Sequence, residues 1–329
     1  VDLGNRSIKA AVLSGADGRT VVEHLHSAAV PPAMVAGNEI LDAEGLTEEL
    51  LRLFDNAALK RISATIAVGG NDVFIRRVSM PRMGYQEALQ QLPKNQSIRI
   101  PVDVKNNKLD IHITDPRGDG ASMQVLIVAA KKEAITLRQK VLIEAGATIH
   151  SVDIDAFALF NVFAHLHGEI AKERATLVDI GHESALIVVL DRGFPAVARR
   201  AYVGVSHLIE KLGDGNLMPD EAEQVLRSDN PPAIYPEAFH GWGEQLVEEL
   251  TRSAGAVTRG DAHTGPIYLS GGGALIDGMG EFLRDRSGSH VAVFDPLTGI
   301  DAGKDLGLSH EQDGAMYALA IGLALRQVV

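Results

Sequence analysis

The chain has 329 residues, 46% of them hydrophobic and 22% charged, with 31 Lys plus Arg against 43 Asp plus Glu and a formal net charge of −12. So acidic a surface repels a phosphate backbone, which excludes nucleic acid as a general partner, and the length suggests about two domains. The absence of cysteine excludes a disulfide framework, a thiolate zinc site and a cysteine nucleophile, and fits a reducing compartment.

Val1 begins directly on a motif, so a few residues are expected to precede it. Asp2-Leu3-Gly4 reads as a strand entering a tight turn, and Ile8, Ala10 and Val12 then alternate with Ser7, Lys9 and Ala11 as in a half-buried strand. A polar turn at 15–18 leads to a strand from Thr20 to His24. Glu44 to Asp55 carries a helical stripe of Leu46, Leu50, Leu51 and Phe54, and strands follow at Ala64 to Gly69 and Val73 to Val78. Gln86 to Leu92 is a short helix and Pro93 to Asn107 a loop. Leu109 to Ile113 and Met123 to Ala129 are strands around a turn at 116–120. Lys131 to Ala145 is a helix, Thr148 to Val152 a strand and Asp155 to Leu166 a helix. In the second half, Asp179 and Gly181 introduce the apolar run Ala185 to Leu190, which suits a strand buried on both faces. Helices are expected from Pro219, over Gly243 to Thr258 and over Gly314 to Gln327, with a strand at Ile267 to Leu269. The longest apolar stretch, Ala315 to Leu325, is eleven residues, too short to span a membrane.

The sequence repeats itself at an offset of 177: Val1-Asp2-Leu3-Gly4-Asn5-Arg6-Ser7 lies over Val178-Asp179-Ile180-Gly181-His182-Glu183-Ser184. Both copies read strand, tight turn, strand, polar turn, strand, which indicates a duplicated α/β protein. With Ser270-Gly271-Gly272-Gly273, three turns of this kind follow strands. Glycines there let backbone approach a phosphate closely, a nearby carboxylate can hold Mg²⁺ through water, and Lys9 supplies a point charge. There is no Walker A sequence, G-x-G-x-x-G, nucleophile elbow or His-Glu-x-x-His.

The strings V-D-L-G-N-R-S-I-K and V-D-I-G-H-E-S resemble the two phosphate motifs of the actin, Hsp70 and sugar-kinase superfold, and I-Y-L-S-G-G-G-A-L-I-D-G at Ile267 to Gly278 is similar to its adenosine motif. Within that superfold the chain resembles the PilM family of type IV pilus assembly, related to FtsA. The strings that carry this are Arg77 to Met83, Ile100 to Asp103, Val125 to Glu133, Val152 to Leu159 and Tyr317 to Arg326. The resemblance implies a duplicated actin/Hsp70-like ATPase fold: a first lobe of residues 1–77 and 153–177, an FtsA-type ββαβ-like insertion at 78–152, and a second lobe of residues 178–329.

It implies ATP and Mg²⁺ between the lobes, with Asp2, Gly4, Ser7 and Lys9 on one wall and Asp179, Gly181 and Ser184 on the other. Gly204, Glu223, Gly271, Gly272 and Gly273 would border the rest of the nucleotide. Asp2 and Asp179 would hold the metal through water, and Asp179 is the one candidate for a catalytic role. The implied protein is cytoplasmic and is brought to the inner membrane by the N-terminal peptide of a PilN-type partner, which would bind as an extended segment near Val73 to Arg82 and the insertion. Contacts with other pilus components and self-association are further expectations.

Three positions depart from the family pattern. One glycine, Gly204, stands where the family has a pair, Leu226 replaces the lysine of Ala-Glu-x-x-Lys, and Ser184 is what remains of a threonine run. These point to weak nucleotide handling and at most a weak ATPase. The alternatives are the cytoplasmic L component of a type II secretion system, and a small-molecule kinase or ATPase of the same superfold.

Overall fold

The computed structural model describes residues 1–328 except 17–18, 58, 60–61, 95–97, 99, 116–119, 214–216, 259–263, 304–305, 307 and 309–312, so the turns expected at 15–18 and 116–120 fall in part outside the described residues. Its two principal sheets are built alike. In the second half, Phe194–Ala201, Ala185–Asp191 and Ala175–Ile180 form an antiparallel meander that continues in parallel through Ile267–Ser270 and Val291–Val293. In the first half, Arg19–Ala29, Ser7–Ala16 and Asp2–Leu3 form the same meander, with Asp301–Ala302 added at its outer edge. Val1 then donates its amine to Thr65 O at 2.8 Å, which brings up Ser63–Val68 and its parallel partner Thr148–Ile154.

The expected repeat is present at the level of register. Asp2 faces Lys9 and Leu3 faces Ile8 in the first hairpin; Asp179 faces Leu186 and Ile180 faces Ala185 in the second. The run Ala185 to Leu190 is continuously apolar because two cores use it. Ala185, Ile187 and Val189 point into one cluster with Trp242 and Leu246, while Leu186, Val188 and Leu190 point into another with Phe163 and Leu323.

The helix Ala43–Asn56 starts where Asp42 accepts a hydrogen bond from Gly45 N, an N-cap that satisfies one of its first donors. Its buried stripe is Leu46, Leu50, Leu53 and Phe54; Leu51, expected to be part of the stripe, is exposed. The terminal helix begins as a 3₁₀ turn over Asp313–Tyr317 and becomes α-helical at Ala318–Val328. It packs closely on Asp155–Leu166, where a Cβ on Gly322 would fall 2.0 Å from Ala158 O. The helices Val205–Gly213 and Met279–Ser287, which have no counterpart in the sequence reading, cover the second sheet.

Residues 78–152 divide between two sheets. Val73–Pro81, Ser122–Lys131 and Asn107–Ile113 make a three-stranded sheet in that spatial order, with its own cluster of Met80, Leu92, Ile111, Met123, Val125 and Ile127. The helix Lys132–Glu144 instead sends Val141 and Leu142 into the cluster that holds Leu46 and Leu50, and Thr148–Ile154 pairs with Ser63–Val68. No helix among the described residues is long and apolar enough to cross a membrane.

Candidate functional site

Each hairpin of the repeat ends in the same turn. Gly4 N donates to Ser7 O at 3.2 Å, and Gly181 N donates to Ser184 O at 3.0 Å. The two turns face each other across a cleft of about 770 Å³, within the size range of small-molecule sites. Asp2, Gly4, Ser7 and Lys9 reach it from one lobe, and Asp179, Gly181, Ser184, Glu223, Gly272 and Gly273 from the other. Ten of the twelve residues expected to contact a ligand therefore line one cavity.

The remaining two act from behind the wall. Gly204 lies against the second turn, where a Cβ would fall 2.2 Å from His182 O, and its carbonyl accepts the Trp242 indole N–H at 3.0 Å. Gly271 has φ +80, donates to Ala315 O at 3.0 Å, and would carry a Cβ only 2.6 Å from Ile180 O. Gly272, with nothing near its Cβ position, leaves that stretch of the cleft open.

The cleft is polar at one end and apolar at the other. At the polar end Lys9 Nζ lies 3.9 Å from Asp2 Oδ2, and Ser270 Oγ donates to Asp179 Oδ2 at 3.0 Å. Burial, then the Asp2 charge, push the Asp179 carboxyl up to about 6, against the opposing effects of Lys9, Ser270 and Arg200. Two carboxylates on opposite walls and one ammonium form a donor set suited to a hydrated cation and its phosphate. Among the described residues no three His, Asp or Glu side chains converge on one metal position, so such an ion would be held by water and phosphate oxygens with the carboxylates outside them. At the apolar end stand Ile209, Leu226, Leu275, Ile276 and Met316, beside Arg227.

Several cleft residues were not anticipated as site residues. Arg200 donates to Ser184 Oγ at 3.1 Å and pairs with Asp155 of the other lobe. Glu183 accepts from the Asn5 amide and from Gly37 N at 2.8 Å. Arg6 crosses the cleft to Glu223 at 2.7 Å, so the acid expected to border the nucleotide is engaged in an ion pair. Arg6 and Glu183 hold equivalent positions in the two copies with opposite charge, a sequence signal that the lobes interact there. His182 is held below the usual histidine range by burial, reinforced by Arg6, and is neutral at pH 7.

A second cavity, of about 800 Å³, lies where the three-stranded sheet meets the helices Asp155–Leu166 and Lys132–Glu144. Ile111, Leu126, Val128, Ile135, Phe157 and Phe160 make it largely apolar, and Lys108, Asp110, His112, Lys132 and Arg326 mark its rim. It runs beside the edge strand Asn107–Ile113. The other edge strand, Val73–Pro81, where an extended partner was expected, faces the second lobe instead, with Arg77 donating to Asp191 O at 3.2 Å and pairing with the Asp191 carboxylate.

The architecture matches known proteins along its whole length. A PilM–PilN type IV pilus biogenesis complex superposes with TM-score 0.86 at 24% identity, covering 100% of this chain and 97% of that one. The ethanolamine utilization protein EutJ from Carboxydothermus hydrogenoformans gives 0.61 at 14% identity, covering 99% and 88%. MreB5 of Spiroplasma citri, solved with ADP, gives 0.51 at 14% identity, covering 91% and 78%. The fold is thus that of the actin-like ATPases, as the repeat and the turn motifs suggested. The sequence profile described as Type IV pilus assembly protein PilM spans residues 1–328, and the chain belongs to that family.

Proposed function

We propose that the chain is an actin-like adaptor of type IV pilus assembly that holds a Mg²⁺-nucleotide between its lobes and a membrane partner's peptide in the apolar groove. The observation that carries this is the presence, in one chain of this family, of two separate cavities: a charged cleft built from the duplicated turns, and an apolar groove along a sheet edge to which no strand is paired among the described residues. The first suits a nucleotide, with phosphates among Asp2, Gly4, Ser7, Lys9, Asp179, Gly181 and Ser184 and the base toward Gly272, Gly273 and Leu226. Bound Mg²⁺ would neutralise phosphate charge, and Asp2 and Asp179 would orient its waters.

The second cavity suits an extended peptide, which can add to the free edge of Asn107–Ile113 and set apolar side chains against Val128, Ile135 and Phe160. The PilM relative was solved with PilN, and a PilN-type N-terminal peptide is the occupant we infer. Such a tether would place the protein on the cytoplasmic face of the inner membrane. The strand pairing fits a division into a first lobe of residues 1–72 and 132–177, an inserted sheet of residues 73–131, and a second lobe of residues 178–329. ATP turnover in this reading is slow at most. The secretion-system and small-molecule kinase alternatives are not favoured by a family match over nearly every residue.

Isothermal titration tests both halves. Mg-ATP and a synthetic N-terminal PilN peptide should each bind, and each should bind the protein already loaded with the other. Absence of heat with the peptide at high concentration overturns the partner reading, and absence of heat with Mg-ATP overturns the cleft reading.

A further inference from the structure

Arg200 stands out among the cationic residues of the cleft because one buried donor of its guanidinium is unused. It comes from the strand Phe194–Ala201, opposite Leu186, with its side chain 15% exposed. One Nη donates to Ser184 Oγ, the other pairs with Asp155, and its buried Nε has no hydrogen-bond partner among the described residues. A guanidinium offers five N–H donors in a rigid fork, and a buried donor left without an acceptor is unfavourable. The fork matches a phosphate, which accepts two parallel hydrogen bonds from it.

The surroundings keep Arg200 at the polar end. Burial works against its charge, yet Asp155, Asp179 and Asp2 together hold the guanidinium above its usual range. The backbone is shaped to allow this. Gly69 gives the Asp155 carboxylate its space, since a Cβ there would fall 1.8 Å from Asp155 Oδ2, and Gly70 lies beneath the Arg200 stem, its Cβ position 3.4 Å from Cδ. Arg200 is therefore presented to the cleft by both lobes.

We propose that Arg200 binds the phosphate farthest from the base of a nucleoside triphosphate in the cleft, clasping it with Ser184 while anchored to Asp155. The assignment rests on the nucleotide reading of the cleft and adds a residue outside the repeated turns. Because its anchor is in the other lobe, Arg200 also makes the grip on that phosphate depend on lobe closure.

The test is calorimetric titration of the full chain with Mg-AMPPNP and, separately, Mg-ADP, for wild type, Arg200→Lys, Arg200→Gln and the double variant Arg200→Gln/Asp155→Asn. The double variant removes both buried charges and keeps the interface foldable if Arg200→Gln alone does not fold. Both glutamine variants should bind Mg-AMPPNP at least tenfold more weakly while Mg-ADP affinity changes less than threefold, and Arg200→Lys should recover part of the loss. Equal weakening of both nucleotides, or no weakening, overturns the assignment of Arg200 alone. A wild type that binds neither nucleotide overturns the cleft reading along with it.

Discussion

Gly69 and Asp155 are in such close contact that the glycine's missing side chain is the space the carboxylate occupies: a Cβ at Gly69 would lie 1.8 Å from Asp155 Oδ2. Gly69→Ala should therefore push Asp155 off Arg200 and leave a buried ion pair broken. The expected loss is about 2–4 kcal/mol in chemical denaturation. Gly84→Ala, with open space at its Cβ position, should stay within about 0.5 kcal/mol of wild type. Similar values for the two variants would show that the Asp155 position is not fixed by Gly69.

Asp179 should leave a pH signature. Its folded pKa, raised to about 6, lies above the value near 3.9 of an unfolded aspartate. The folded state thus holds more protons between about pH 4 and 6, and this group's stabilising contribution is complete below that window and lost as pH rises through it. Asp179→Asn should flatten this part of the stability profile and raise ligand-free stability at pH 7, on the order of 1–3 kcal/mol. It should also weaken Mg-nucleotide binding. An unchanged profile by thermal denaturation across pH 4 to 7 would remove the argument for Asp179 as a buried, charge-crowded group.

Trp242, the chain's one tryptophan, is fully buried and donates to Gly204 O at 3.0 Å, directly behind the second turn. Its emission should be blue-shifted in the folded protein and should respond to Mg-nucleotide, because Gly204 backs the turn that the phosphates would touch. Trp242→Phe loses that hydrogen bond and some packing, an expected loss of about 1–2 kcal/mol by urea titration followed by circular dichroism.

Ile135→Glu sets a carboxylate in the apolar groove on a half-exposed helical position. Peptide affinity should fall at least tenfold while the melting temperature and Mg-ATP binding are retained. Undiminished peptide binding would place the partner elsewhere, with the edge Val73–Pro81 the first surface to examine.

What the sequence made readable was local or repeated. Asp2-Leu3-Gly4 over Asp179-Ile180-Gly181, with serines at the same offset, announced two matching hairpins, and Leu46, Leu50 and Phe54 announced a helix. What escaped depended on pairing between distant segments. Nothing near Thr148–Ile154 says that it pairs with Ser63–Val68. That the edge strand Val73–Pro81 meets the second lobe shows only in Asp191, far along the chain, pairing with Arg77. Arg200 is one of two adjacent arginines on a strand, and its contacts with Asp155 and Ser184 single it out.

The matching registers of the two hairpins carry a consequence about ancestry. A motif that occurs twice, on opposite sides of one cavity, is what fusion of a half-length gene leaves behind, and the forerunner would have been a symmetric pair of subunits sharing a ligand at their axis. The aspartates survive in both halves as Asp2 and Asp179. Their cross-strand partners do not match: Lys9 keeps a cation in the cleft, while Leu186 has turned to the core and is buried there. With a cation on one wall only, the two halves are no longer equivalent and the cavity has a direction, as a ligand with different ends requires.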